Sequence, residues 1–572
     1  MTQNSASKPH NWVGFAKGIA LISFGALMGS IPASAQNFPF QGNSQFWPGN
    51  LVVSRSVYDN NASNVKVGTI LPPDCASTQG GCSASTGAPY NGTYPSVFNN
   101  DIYDASFGIT SRIYLDQITP SGRLINSLEV PNSLERGVDS KSDHMATSFS
   151  SKSELALHLS TDGRYLTFMG YVAPVDTIDV SNSNTPLEID PTNPVGVAYY
   201  RAVAQVDQFG RFHFTETNAY SGNNGRSVIL NNGDGDRDSD DATIFYTAGN
   251  AGNGSNPQPD GVILGAGAQL IDPTNEPEQA QNPGTPTPVA SFSVTELGDK
   301  ADKIGKDDNF RGSAIFQNVL YFTKGSGSNG VNTVYFVDTT GTACPHGVGL
   351  PSPSAPLPTA PLNYDLGTLQ TVGLPNNMCI LAGFPSIPAK TATTLTYPFG
   401  IWFANANTLY VADEGDGYTG GSDLYTHAVA QTTAGLQKWV FNSTTKTWNL
   451  AYTLQAGLNL GTPYSVDRYP TGTNAATGLP WAPATDGLRQ LTGQVDRDGM
   501  VTLWAVTSTI SGGGDTGADP DQLVAITDTL ANTSAAAAAG EKFVILRKAG
   551  FGEVLRGVSF TPGTEMAQRT GW

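Results

Sequence analysis

The sequence is short of charged residues, and of basic residues in particular. Asp, Glu, Lys and Arg make up 14% of its 572 residues, against about 25% in a typical soluble domain. Lys and Arg together number 30 and Asp and Glu 48, so the net charge is −18. An acidic surface repels phosphate backbones and anionic headgroups. The composition therefore argues against nucleic acid as a partner.

Several familiar catalytic motifs are missing. The chain contains no H-E-x-x-H zinc motif, no G-x-S-x-G nucleophile elbow and no P-loop, which removes common protease, hydrolase and nucleotide-hydrolysing designs. Histidines number only six, and His158, which lies between leucines on an expected strand, is interpreted as structural. Other enzyme classes are not excluded, and no catalytic residue is assigned.

Long apolar runs are absent after residue 35. The first 35 residues carry Lys8 and Lys17, then the apolar segment Gly18–Met28, then the small residues 32–35. This order is typical of a signal peptide, and the apolar segment is shorter than the roughly 20 residues that span a bilayer. We expect cleavage after Ala35, a secreted or periplasmic mature chain, and no transmembrane segment after cleavage.

Cysteine is scarce, with four residues in the whole chain: Cys75, Cys82, Cys344 and Cys379. None lies in a C-x-x-C motif, so thiol redox or zinc roles are not expected. An even number in an exported chain indicates two disulfides. Three connectivities are possible, and the simplest pairs each cysteine with its neighbour, Cys75–Cys82 and Cys344–Cys379.

Turn-forming residues separating short β-branched and aromatic runs dominate what the sequence does contain. Gly alone supplies 64 residues, and this pattern favours an all-β fold. The clearest unit has four apolar runs, at 399–403, 408–413, 435–441 and 447–454. Four consecutive antiparallel strands form one blade of a β-propeller.

This unit resembles an NHL repeat. The matching residues are Pro398, Gly400, Ile401, Leu409, Tyr410, Val411, Ala412, Asp413, Gln437 and Lys438. An insertion at Gly415–Ala434 lengthens the compact repeat. The resemblance implies a propeller, and the chain is broadly similar to the six-bladed class that includes the SMP-30/gluconolactonase and soluble quinoprotein sugar dehydrogenase families, which place a metal at the axial funnel.

The two ends of the mature chain each hold part of a blade. Leu51–Val53 begins without a first strand, and Arg556–Pro562 is a first strand with none after it. Pairing the N- and C-terminal strands closes the ring and removes exposed edges. We therefore predict a signal peptide at 1–35 and one β-propeller domain at 36–572, with six four-stranded blades and long loop insertions. Seven blades is the alternative, because 261–305 is hard to divide into strands.

Four expected first strands open with an arginine: Arg226, Arg311, Arg489 and Arg556. First strands line the central channel of a propeller, so these side chains would form a ring near the axis. Such a ring could bind a carboxylate or sulfate ligand through guanidinium forks. In the alternative interpretation, each arginine pairs with an aspartate of the neighbouring blade and locks the ring.

Five aspartates lie close together between two expected strands: Asp234, Asp236, Asp238, Asp240 and Asp241. Alternating carboxylates on a loop can converge on a hard cation, which makes Ca²⁺ the candidate cofactor. The EF-hand pattern is not met, because Ser239 stands where glycine is needed. The alternative is a solvated acidic loop without an ion.

A second acidic cluster, Asp413-Glu414-Gly415-Asp416, ends a strand of the NHL-like unit. Its carboxylates could hold a cation or face an axial funnel. Residues of this kind also cap turns through side-chain to backbone hydrogen bonds, and both interpretations stay open.

Two functions fit these features. The first is an exported module that binds a carbohydrate, small molecule or protein, supported by the long polar loops and the missing catalytic motifs. The second is an extracellular enzyme that acts on a carbohydrate or lactone-like substrate in the axial funnel, with a metal. A plugged channel would favour the binding module, and an axial cation with an open coordination position would favour the enzyme.

The acidic loop generates the first prediction. Five carboxylates within eight residues raise one another's pKa unless an ion neutralises them, and a bound ion stabilises only the folded state. Melting temperature should therefore rise with Ca²⁺ around its expected Kd of ~10⁻⁴–10⁻³ M. The double variant D236A/D238A should keep its fold and lose that rise. A wild-type melting temperature that is independent of Ca²⁺ would leave only the acidic loop without an ion.

Overall fold

The apolar runs pair into strands that are buried on both faces, as Thr408–Asp413 is throughout its length. A computed structural model describes residues 46–61, 63–68, 108–132, 145–178, 180–189, 197–233, 243–252, 265–273, 280–281, 287–300, 306–352, 355–364, 374–474, 478–512 and 517–564. The predicted signal peptide, Cys75, Cys82 and the acidic loop 234–241 lie outside these residues, so what was predicted for them stays a prediction.

The described strands form six antiparallel sheets, the blades of a β-propeller. Blade 1 contains β1 (Leu51–Val57), β2 (Thr110–Ile118), β3 (Leu124–Glu129) and β27 (Glu553–Phe560), with β4 (Thr147–Ser148) beside β2. Blade 2 contains β5 (His158–Leu159), β6 (Tyr165–Tyr171), β7 (Arg201–Asp207) and β8 (Phe212–Thr217). Blade 3 contains β9 (Gly225–Asn231), β10 (Ile244–Gly249), β11 (Gly267–Ile271) and β13 (Pro288–Ala290), and β12 (Ala280–Gln281) runs parallel to β8.

The other three blades follow in chain order. Blade 4 contains β14 (Ser313–Phe316), β15 (Val319–Lys324), β16 (Thr333–Val337) and β18 (Met378–Leu381), with β17 (Val348–Gly349) parallel to β18. Blade 5 contains β19 (Pro398–Asn405), β20 (Thr408–Asp413), β21 (Gly435–Asn442) and β22 (Thr447–Leu454). Blade 6 contains β23 (Ala484–Val495), β24 (Met500–Ile510), β25 (Gln522–Thr529) and β26 (Val544–Lys548).

The ring closes as predicted, through the two ends of the chain. Strand β27 is the first strand of blade 1 and pairs antiparallel with β1, from Leu51 opposite Phe560 to Val57 opposite Glu553. A bulge between Ser54 and Arg55 shifts the register once. The order β27-β1-β2-β3 gives this blade its four strands.

The strands of blade 3 show whether the propeller has six or seven blades. The stretch 261–305, which the sequence left undivided, supplies β11 and β13 as the third and fourth strands of that blade. It also contains the 3-10 helix Val294–Leu297, which Ser293 and Glu296 cap reciprocally. This stretch therefore completes an existing blade, and the six-blade prediction is confirmed.

The fourth strand of blade 4 was not identified from the sequence. Strand β18 follows a Pro-rich excursion and pairs with β16 through Phe336 opposite Cys379. Cys344, on the excursion, forms a disulfide with Cys379, as predicted. The cross-link attaches the start of the excursion to the blade.

The blades stack through their apolar faces. Phe316 of blade 4 lies on Phe403 of blade 5 with ring centroids 4.5 Å apart, and Trp504 of blade 6 meets Phe560 of blade 1 edge-on at 5.5 Å. Each blade thus buries its side chains against two neighbours, so the strands read as continuous apolar runs rather than as alternating ones.

The described part of the chain contains little helix. The α-helix α1 (Leu424–Ala430) lies between β20 and β21. Its buried Leu424 and Ala428 pack with Leu479, Ala484 and Ile510 of the blade 6 region. A second 3-10 helix spans Val180–Asn182. Among the described residues, no helix is both long and apolar enough to cross a membrane.

Antiparallel order places the connections on two opposite faces of the ring. On one face run the connections from second to third strand and from blade to blade, which we call the long-loop face. It carries the described segments 172–178, 414–434, 455–474 and 517–521, together with 145–157 between blades 1 and 2. The opposite face has tight turns such as Gln317-Asn318, where both residues have positive φ.

A buried carboxylate at the closure of the ring generates the second prediction. Asp116 of β2 is fully buried and contacts Arg55 of β1 and Arg547 of β26, each at 2.7 Å. Burial alone would raise the pKa of Asp116, but the hydrogen bond and charge of Arg55 hold it below the ordinary value of 3.8. The ionised carboxylate therefore joins blades 1 and 6.

We expect Asp116→Asn to lower the free energy of unfolding at pH 7 by ~3 kcal/mol, because it removes the carboxylate that Arg547 contacts and leaves Arg55 with Glu553 alone. A lowered folded-state pKa adds stability above the unfolded pKa and loses it as pH falls, so the deficit should shrink below about pH 4. Denaturant titration of both proteins measures this. Asp207→Asn, at the exposed pair Asp207–Arg211, is the control and should cost under ~1 kcal/mol. Equal costs for both variants would contradict the assignment.

Candidate functional site at the propeller axis

The first strands of neighbouring blades touch near the axis. A Cβ on Gly312, just before β14, would lie 2.2 Å from the carbonyl oxygen of Phe399 in β19. A Cβ on Gly400 would lie 2.6 Å from the carbonyl oxygen of Arg489 in β23. Only glycine allows this approach of two backbones, and it brings the polar residues that flank these strands together.

The segment Phe149–Glu154, which we call the axial segment, follows β4 and leads into blade 2. Its last residue fixes it in place. One carboxylate oxygen of Glu154 accepts hydrogen bonds from the Thr147 hydroxyl at 2.6 Å and the Ser148 N–H at 3.0 Å. The other accepts from the Tyr171 hydroxyl and, at 3.3 Å, from Asn224. Glu154 is 1% exposed, so the segment is anchored from inside the fold.

The axial segment contacts blades around the ring. The Phe149 carbonyl accepts from Arg556 of blade 1, and the Ser153 hydroxyl accepts from Arg311 of blade 4. The Ser151 hydroxyl accepts from Asn224, at the entry to blade 3, at 2.7 Å.

Blades 5 and 6 complete these contacts. The Lys152 ammonium donates to Glu414 of blade 5 at 3.0 Å. The Ser150 carbonyl packs so closely on Gly517, in the connection from β24 to β25 of blade 6, that a Cβ there would lie 1.8 Å away. The axial segment therefore lies across the axis on the long-loop face, in contact with blades 1, 3, 4, 5 and 6.

The four arginines singled out in the sequence all lie on or next to first strands. Arg226 is in β9, Arg489 in β23 and Arg556 in β27, and Arg311 precedes β14 by two residues. All are buried, between 2% and 6% exposed. Arg311 continues the β14–β15 ladder, because its N–H donates to the Thr323 carbonyl.

Their partners in the described residues are mostly neutral oxygens. The Arg226 guanidinium donates to Asn224, Asn309 and the Phe310 carbonyl. Arg311 donates to the hydroxyls of Ser153 and Ser326. Arg489 meets a carboxylate, that of Glu414, at 3.3 Å. Neutral oxygens therefore hold most of these side chains, and binding of an anionic ligand by them stays a prediction.

Glu414 is the acidic centre of the cluster. It is 3% exposed and lies between Lys152 and Arg489. Burial would raise its pKa, but the charges of Lys152, Arg489 and Arg311 lower it below the ordinary value. The carboxylate is ionised and joins the axial segment to blades 5 and 6.

The neighbouring Asp413 caps a turn. Its carboxylate accepts the N–H of Tyr397 at 2.8 Å and of Gly415 at 3.1 Å, and the amide of Gln437 at 3.0 Å. Burial raises its pKa to about 7 despite these bonds. Capping thus accounts for Asp413, whereas Glu414 faces the axis, so the two alternatives considered for this cluster apply to different residues.

Asp416 and Asp486 extend the acidic region toward the long-loop face. Asp486 accepts the Gly417 N–H at 2.8 Å and the Gln431 amide at 2.5 Å, and burial raises its pKa to about 7. Asp416 contacts the His427 ring nitrogen Nε2 at 2.6 Å. The His427 ring stacks on Tyr418 with centroids 4.1 Å apart. These contacts fix the insertion of blade 5 onto blade 6.

Sequence reasoning missed several axial residues: Lys152, Glu154, Asp486, Asp519 and Asp521. A signal exists for the first two, since the run Ser150-Ser151-Lys152-Ser153-Glu154 puts two charges among serines immediately before an apolar strand. His158, interpreted as structural, lies on β5, and burial lowers its pKa to about 4.

Possible metal ligands come close together at one place in the described ranges. The group of three that they contain is Asp338, Cys344 and Cys379. Its two cysteines are joined by a disulfide, and a metal requires thiolates. This group is therefore not a metal site.

Fold and axial cluster together define a six-bladed β-propeller with a segment across one end of its channel. No protein-family model matches the chain, and no curated protein matches it. The propeller class is thus the level at which the structure identifies the protein.

Asp521, next to the axis, generates the third prediction. It is 1% exposed, its Oδ1 accepts the Leu555 N–H at 2.8 Å, and its Oδ2 has no partner among the described residues. Burial raises its pKa from 3.8 to about 7. A raised folded-state pKa gives stability below the unfolded pKa that is lost as pH rises toward 7.

We expect Asp521→Asn to remove that loss, because the amide keeps the acceptor oxygen and carries no charge. The variant should match the wild type near pH 4 and exceed its unfolding free energy at pH 8 by up to roughly 4 kcal/mol. Melting curves across pH measure this, with Asp467→Asn, whose carboxylate is exposed, as control. A variant less stable than the wild type at pH 8 would show that the ionised carboxylate is needed.

Proposed function

We propose that the protein is an exported, non-catalytic binding module that engages its ligand or partner through the long-loop face. The axial segment carries this proposal. It occupies the entrance through which a substrate would reach an axial funnel, and its side chains contact the buried residues that would otherwise face that substrate. The propeller fold itself is consistent with a binding or interaction module.

Exposed apolar side chains also favour the long-loop face. Twelve large apolar side chains of the described residues are exposed. Six of them lie on connections of this face: Val67, Leu187, Ile189, Val197, Ile387 and Val429. The opposite face has Trp47 and Phe209, and the rest lie on strands. Exposed apolar groups on loops are typical of contact surfaces.

The sequence unit that resembles an NHL repeat folds as blade 5. The strands of blade 5 match the four runs of the NHL-like unit, and Pro398, Gly400 and Tyr410 occupy the positions that carry the resemblance. Export after cleavage at Ala35 would place the long-loop face in the periplasm or the medium.

The alternative is an enzyme acting on a carbohydrate or lactone-like substrate near the axis. It is favoured by one observation, the buried Asp413 and Asp486 with pKa values of about 7, because a general acid works best near that value. Both carboxylates already accept backbone hydrogen bonds, which ties them to the fold.

Paired variants test the proposal with the mature chain, which begins at Gln36. Binding is measured to a polysaccharide array and to intact cells of the kind that export the protein. The wild type is compared with L187S/I189S on the long-loop face and with W47S/F209S on the opposite face. We expect L187S/I189S to bind at least about tenfold more weakly and W47S/F209S to bind like the wild type.

Two results would contradict the proposed binding module. Equal loss in both variants would remove the long-loop face from the proposal. Turnover of sugar lactones or aldoses by the wild type, abolished by Asp486→Asn, would replace the binding module with the enzyme.

A further inference from the structure

We propose that a small anion, a halide, an oxyanion or a carboxylate, binds beside the axial segment, between Lys152 and Arg311, with Arg226 and Arg489 around it. The site is independent of the proposed interaction surface, because it lies among the arginines beside the axial segment rather than on the exposed apolar connections. It deepens the arginine ring predicted from the sequence by adding Lys152 and by excluding Arg556, which the Phe149 carbonyl holds.

Arg226 and Arg311 are buried without a directly paired carboxylate in the described residues. Within the described residues, neither Arg226 nor Arg311 forms an ion pair, and their hydrogen-bond partners are hydroxyl, amide and carbonyl oxygens. The carboxylate of Glu414 is shared by Lys152 and Arg489, and Glu154 acts on Arg226 without a direct ion pair. Buried guanidinium groups are normally paired with an anion.

Arg311 and Lys152 also have hydrogen-bond donors that are not used. The Nε of Arg311 is buried and has no partner in the described part of the chain. An ammonium has three donors, and the described contacts of Lys152 use one of them, toward Glu414. Lys152 therefore has two unused donors and Arg311 has one, and an anion between these side chains could accept from both.

Space for a ligand lies beside Lys152. Arg311 is 6% exposed, but the Lys152 side chain keeps 30% of its surface accessible although it lies among axial residues. Open space therefore borders the ammonium.

Electrostatics agrees with the geometry. Burial lowers the pKa of Lys152, the charge of Glu414 raises it, and the charges of Arg311 and Arg489 lower it again. Burial also lowers the pKa of Arg226, with the charge of Arg311 next in effect. The cluster thus opposes its own positive charge, and an anion among these groups relieves both the repulsion and part of the desolvation.

Melting temperature at constant ionic strength tests the site. The mature protein is titrated with sodium bromide, sodium sulfate or sodium acetate against the bulky sulfonate MES as the balancing anion. We expect a saturable rise with at least one small anion, since a ligand that binds only the folded state stabilises it in proportion to its occupancy. The anion that gives the rise identifies the ligand class.

Variants separate specific binding from general salt effects, which raise stability without saturation. Arg311→Gln and Lys152→Met should lose the saturable rise. Arg211→Gln, which removes an exposed arginine, should keep it. A rise that persists in both axial variants, or no saturable rise with any of the three salts, would overturn the proposal.

Crystals of the wild type grown in sodium bromide give a test that does not depend on the variants folding. An anomalous bromide peak within contact distance of the Arg311 Nε and the Lys152 Nζ is expected. Ordered bromide elsewhere with none in this cluster would refute a halide site, and together with flat sulfate and acetate titrations would refute the site altogether.

Discussion

Pairing of the two chain ends is the interaction on which the rest of the structure depends. Strand β27 is the first strand of a blade whose other strands come from the other end of the chain. Without the β1–β27 ladder, blade 1 would lack its inner strand and the ring would present an open edge. The same closure places Asp116 between Arg55 and Arg547, so a buried ionic contact adds to the backbone ladder.

Closing the ring has a chemical consequence at its centre. Six first strands converge there, and glycines such as Gly312 and Gly400 let their backbones come into contact. Side chains at the ends of these strands are therefore forced together, among them Arg226, Arg311 and Arg489. The chain fills this space with its own axial segment, whose serines, Lys152 and Glu154 provide oxygens and charges for them. Side chains of the chain itself therefore occupy the long-loop end of the axis.

The sequence predicted the fold well where local signals were strong. Blade 5 was found strand by strand, because the runs 408–413 and 447–454 are bounded by turn residues, and the chain ends revealed their shared blade. Strands β11, β13 and β18 were missed because they are short and follow long Pro- or Gly-rich excursions. The arginines were found by their repeated position, but their partners were not. Asp521 reaches the axis only through tertiary contacts, which no local pattern encodes.

Hydrogen–deuterium exchange of the protein, followed peptide by peptide, tests directly whether the axial segment belongs to the protected core. The N–H groups of Ala146, Ser148 and Phe149 donate to Tyr171, Glu154 and Ile109. Peptides covering 145–155 should therefore exchange as slowly as β20 and β24, because opening them requires loss of contacts with several blades. Exchange as fast as that of the exposed turn 443–446 would contradict a closed axis and return the channel to consideration as a funnel.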